Sequence, residues 1–80
     1  MKKSPGVNQK LIGTINQGYI ILDQKESKTG DTYVIAFSAH APASFVTWFY
    51  NTECGGYSWG HYVRNLDSAV ADFNKRVSEN

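Results

Sequence analysis

The stretch from Tyr57 to Val77 constrains the fold more than any other, because an aromatic run that reads as a strand passes through Asn65 into one amphipathic helix. Leu66, Ala69, Val70, Phe73 and Val77 recur at spacings of three and four and so share one stripe, while Asp67, Asp72, Asn74, Lys75 and Arg76 fall off it. Asn65 has the chemistry of an N-cap, since its side-chain oxygen can accept from an amide of the first turn. Asp67 near the start and Lys75 with Arg76 near the end suit the helix dipole, each contributing about 0.3–1 kcal/mol where exposed. A helix this short is marginal alone in water, so its stripe needs a sheet to dock on. The sequence offers no second helical pattern.

The residues before Tyr57 supply that sheet. Met1 to Lys10 carries three lysines and one aliphatic residue after the first methionine, which predicts a flexible tail over residues 1–10 and a single domain over 11–80. Leu11 to Ile15 reads as a short extra strand that Asn16-Gln17-Gly18 can fold back. Tyr19 to Asp23, Thr32 to Phe37, Phe45 to Tyr50 and Tyr57 to Arg64 are rich in β-branched and aromatic residues, and polar or glycine-containing turns separate them. Pro42 lacks an amide proton and breaks the ladder between the second and third of these. The reading is an α+β fold: an antiparallel meander of three to four main strands packed by one C-terminal helix. At 80 residues only one arrangement of layers is available.

Strand alternation then divides the aromatic residues. If Tyr50 pairs with Tyr57 across the turn, Trp48 stands opposite Trp59 and Val46 opposite His61 on one face, while Phe45, Thr47, Phe49, Gly60 and Tyr62 share the other. The helix is expected over Phe45, Phe49, Gly60 and Tyr62, because glycine allows the closest approach. A slip of one residue exchanges the two faces. This register leaves Trp48, Tyr50, Tyr57, Trp59 and His61 as a candidate protein-binding or homodimer face, since Trp and Tyr are frequent interface anchors. Two other readings compete: the segment from Leu11 to Ile15 folds across these aromatics as ordinary core, or the aromatics stack on bases of single-stranded nucleic acid.

The chemistry-bearing residues are sparse. Lys plus Arg number 8 against 7 Asp plus Glu, so the net charge of +1 gives no reason to expect a polyanionic partner. Cys54, His40 and His61 have no metal-ligand spacing, and Cys54 lies on a turn beside Glu53 and two glycines with no cation to lower its pKa. No phosphate loop or nucleotide fingerprint is present. We therefore expect no catalytic residues, no metal, no cofactor and no enzymatic activity. One cysteine, no signal-peptide core and no apolar run of membrane length make a cytoplasmic setting without membrane contact the simplest expectation.

The run Trp59-Gly-His-Tyr62 followed by Ala69, Ala71, Asp72, Phe73 and Asn74 resembles the strand-to-helix segment of the ethylene-response-factor DNA-binding domain of plants and of the amino-terminal domains of conjugative-transposon integrases. That resemblance implies a three-stranded sheet with one helix that reads the major groove through Arg and Trp; here Arg64, Lys75 and Arg76 would meet nucleic acid. The strands carry Trp48 and Trp59 but of arginines only Arg64, so the departure falls on the DNA-contacting positions. The longer pattern of Pro42, Phe45-Val-Thr-Trp48, Gly56-Tyr-Ser-Trp-Gly-His-Tyr62 and Ala71-Asp-Phe-Asn-Lys-Arg76 is similar to small proteins without assigned activity carried by conjugative elements and phages of Gram-positive bacteria. Such elements often encode inhibitors of host restriction or CRISPR nucleases. The expectation is a non-enzymatic protein-binding module, an anti-defence inhibitor acting through its aromatic sheet face; the alternative is a sheet-type DNA-binding domain.

Overall fold

A computed structural model describes residues 10–79. Apart from Lys10, the tail expected over residues 1–10 lies outside the described residues. The fold is α+β, a five-stranded antiparallel meander in the order β1-β2-β3-β4-β5 followed by one helix. The strands are β1 (Ile15–Asn16), β2 (Tyr19–Glu26), β3 (Thr32–Phe37), β4 (Phe45–Asn51) and β5 (Gly56–Val63), and α1 is Leu66–Glu79. Of the extra strand expected from Leu11 to Ile15, only the two-residue β1 forms. Gly13 (φ 90°) and Gly18 (φ 84°) turn the chain on either side of it. Asn65 caps α1 as expected, its Oδ1 accepting from the Ser68 amide at 2.8 Å.

The sheet separates two cores. On one face Tyr33 and Ile35 of β3 meet Ala69 and Phe73 of α1, with Phe45, Phe49, Val63 and Val77 packed around them. The expected side for Phe45 and Phe49 is therefore the one the helix covers. Lys25 of β2 lies over the Phe73 ring and donates to Asn74 Oδ1, while Arg76 lies over the Tyr33 ring at 5.3 Å. The two flanks of the helix thus look toward different strands.

The other face is concave. Neighbouring strands lie about 4.8 Å apart, so side chains of β2 and β5, with two strands between them, would be roughly 14 Å apart on a flat sheet. The rings of Tyr19 and Tyr62 are 6.0 Å apart. The sheet must curl to bring them together. Leu11 enters this concavity beside Tyr19, Ile21, Val34, Ala36, Val46, Trp48 and Tyr50, and Tyr57 packs on the cluster. Gln24 Oε1 accepts from the Leu11 amide and, at 3.2 Å, from the Ile12 amide, which fixes the entering segment against β2. The amino-terminal segment closes over Trp48 and Tyr50, the ordinary-core alternative, and leaves Tyr62 half-exposed.

Candidate functional site

Burial removes part of the expected aromatic face. Trp48 is 2% exposed and Tyr50 4%. The Trp48 ring makes edge contacts with Tyr19 and Tyr62 and a tilted contact with Tyr57, and Tyr57 also packs on Tyr50. Tyr50 does pair with Tyr57 as expected. Trp48 and Tyr50 are thus interior residues rather than open surface, and burial raises the Tyr57 phenol pKa, the Thr14 hydroxyl opposing and Tyr50 reinforcing the rise.

Beyond that pair the register changes. Phe49 aligns with Ser58 but Thr47 with His61, so Trp48 faces the two residues Trp59 and Gly60 across a β-bulge. The expected pairings of Trp48 with Trp59 and of Val46 with His61 are both replaced. Tyr62 aligns with Val46 and joins Trp48 on the concave face, whereas His61 aligns with Thr47 on the helix side. Gly60 does not receive the helix either. A Cβ there would stand 2.9 Å from Trp48 Nε1 and 2.7 Å from Tyr62 Cε1, so the glycine lets the indole of β4 press on the β5 backbone.

Trp59 takes the strain of the bulge. Its φ is 56°, in the left-handed region that bulky residues avoid, and its side chain stacks on Phe49 with ring centroids 5.0 Å apart. The indole is nevertheless 68% exposed. It stands on β5, the last strand of the sheet, on the side that carries the helix.

Next to it a polar network ties the sheet to α1. Thr47 is fully buried, and its hydroxyl donates to Asp72 Oδ2 while accepting from Arg76 Nη1 at 3.0 Å. Arg76 Nη1 also reaches the Thr47 carbonyl at 3.1 Å. His61 Nδ1 lies 3.0 Å from both Asp72 oxygens and must carry the proton, because the carboxylate only accepts. Burial pushes the Asp72 pKa up, but the hydrogen bonds from Thr47 and His61 and the positive charges of His61 and Arg76 together outweigh it. The carboxyl titrates below its ordinary value. This network escaped the sequence reading, since Thr47, His61 and Asp72 come from three elements. The available signal was Asp72 and Arg76 at four-residue spacing beside the apolar stripe.

The remaining candidates lie apart. Arg64 and Lys75 are exposed, and Arg76 is turned onto Thr47 and Tyr33, so the three do not form one basic surface. Cys54 is exposed in the turn between β4 and β5. Among the described residues no three His, Cys, Asp or Glu side chains converge, no cleft encloses a small molecule, and no helix is long and apolar enough to cross a membrane. The fold and the exposed Trp59 place the chain among small α+β domains with a curled antiparallel sheet. Compared with protein-family models, curated proteins and solved structures, it matches none.

Proposed function

We propose that this chain is a non-enzymatic protein-binding module that uses Trp59 as its anchor. The carrying observation is that a tryptophan 68% exposed is held at a positive φ on the last strand. A bulky residue in the left-handed region costs on the order of 1–2 kcal/mol, and the aromatic pair offsets about 0.5–1.5 kcal/mol of that beyond the minor area it buries. Glycine is the residue this backbone favours. Strain kept at one exposed aromatic is a feature of binding sites, and tryptophan is the commonest anchor of protein interfaces. The anchor is thus narrower than the face first expected: Trp59 is central and His61 lies two residues further along β5, while Trp48 and Tyr50 support the strand from within.

The finer reading is an inhibitor of a host defence nuclease, acting in the cytoplasm. It is supported by the resemblance to small proteins of conjugative elements and phages. Arg76 being engaged within the fold weakens the alternative of DNA binding. The test is phage plating on a host with active restriction or CRISPR immunity, together with capture of the bound nuclease at high salt. Wild type is expected to restore plating and capture the nuclease, and Trp59→Ala to do neither while keeping the wild-type circular dichroism spectrum. A folded Trp59→Ala protein that still protects phage overturns the role of Trp59, and salt-sensitive duplex DNA binding without nuclease capture overturns the protein-binding reading.

A further inference from the structure

One row of residues crosses the whole sheet. Ile15, Ile20, Phe37, Phe45 and Val63 are successive partners from β1 to β5. Phe45 and Val63 lie in the core under the helix, and Phe37 packs on Phe45 with ring centroids 5.2 Å apart. Because partners directly opposite in an antiparallel sheet share a face, Ile20 and Ile15 continue the same apolar row. The helix packs chiefly on β3, β4 and β5, away from β1. Ile20 is therefore 39% exposed and Ile15 71%.

The helix borders this uncovered step with more apolar surface. Asn74 meets Lys25 of β2, so the flank of α1 bearing Asn74 looks toward β2. Val70 and Leu66 lie one and two turns before Asn74 on that flank, and both are among the exposed large apolar side chains. Step and flank lie on the same side of the sheet, with Asp23 and Lys25 of β2 on that side as well.

We propose that this surface joins two copies of the chain about a two-fold axis, the Leu66 and Val70 flank of each helix entering the Ile15 and Ile20 step of the other. Three observations select a second copy. A step beside a ridge complements itself on rotation, which is the geometry an isologous interface requires. The residual exposure of Ile15, Ile20, Leu66 and Val70 amounts to on the order of 400 Å² per copy, and doubled with its polar surroundings it reaches the ~1,000 Å² at which specific association begins. The same side of β2 carries one acidic and one basic residue, Asp23 and Lys25, and the net charge is only +1, so two copies meet without appreciable repulsion. The surface is separate from the Trp59 anchor.

Sedimentation equilibrium over a micromolar to millimolar range tests this, with circular dichroism to verify folding. Wild type is expected to pass from monomer to dimer within that range. The exposed double change Ile15→Glu with Val70→Glu, and Ile15→Glu alone as the milder variant, are expected to weaken association at least ~10-fold, as for central interface positions. Trp59→Ala is expected to dimerise like wild type. A wild type monomeric throughout, a folded Ile15→Glu protein that dimerises unchanged, or a folded Trp59→Ala protein that fails to dimerise each overturns the proposal. None of these bears on nuclease capture, so it stands or falls separately from the Trp59 reading.

Discussion

The indole of Trp59 stacks on Phe49, its diagonal neighbour, at an interplanar angle of 27°, although it is Trp48 that stands opposite across the β4–β5 bulge. The two tryptophans of the chain therefore have opposite duties.

Replacing them is expected to separate those duties. Trp48→Ala removes a buried ring and leaves a cavity, costing about 3–5 kcal/mol, a large share of the stability of so small a domain. Trp59→Ala loses the stack on Phe49, about 0.5–1.5 kcal/mol beyond the minor part of its surface that is buried, and costs less. Urea unfolding midpoints distinguish the two; equal losses would contradict the assignment of Trp48 to the core and Trp59 to the surface.

The backbone at position 59 gives a sharper expectation. Because φ is 56°, Trp59→Gly should be more stable than Trp59→Ala by about 1 kcal/mol, the reverse of the usual order in a strand. Thermal unfolding of the pair measures this. If alanine proves the more stable, the positive φ is absent in solution.

Gly60→Ala is expected to cost about 1–3 kcal/mol, since its Cβ meets a buried indole that has nowhere to move, while the half-exposed Tyr62 ring can swing aside. The near-ultraviolet circular dichroism of Trp48 should change with it. An unaltered spectrum and unfolding midpoint would show that the bulge relaxes freely.

Acid should loosen the helix from the sheet. Asp72 titrates in the folded chain below its ordinary 3.8, so the folded state binds that proton less readily than the unfolded state. Its stabilisation is fully present above the ordinary value and is lost as pH falls through the lowered one. Asp72→Asn is expected to be less stable than wild type at neutral pH and to converge on it in acid. Melting temperatures measured from neutrality to below pH ~3 follow the convergence, and parallel curves would remove Asp72 from the linkage.

Much of this architecture was legible in side-chain patterns, and the exceptions have a common cause. The helix showed in the spacing of Leu66, Ala69, Val70, Phe73 and Val77, although of these only Ala69, Phe73 and Val77 dock on the sheet while Leu66 and Val70 stay exposed; its cap showed in Asn65, and the covered side of β4 in Phe45 and Phe49. These depend on periodicity, which sequence displays directly. A bulge adds one residue without altering composition, so alternation carried unbroken through Trp59 and Gly60 assigned His61 and Tyr62 to the wrong sides. Curling was equally invisible, because the 6.0 Å approach of Tyr19 and Tyr62 joins strands distant in sequence. It was the curl, with Leu11 inserted, that converted Trp48 and Tyr50 from candidate surface to interior.

The insertion of Leu11 also bears on how the chain reaches its final form. Every pair of adjacent strands can zip from its own turn, so the sheet assembles from local events. Sealing the concavity instead requires Tyr19 to meet Tyr62, and the cluster that holds Leu11 to receive Tyr57, over forty positions later. On a ribosome that seal must wait until β5 has emerged, and until then Trp48 stays open to water and to chaperones.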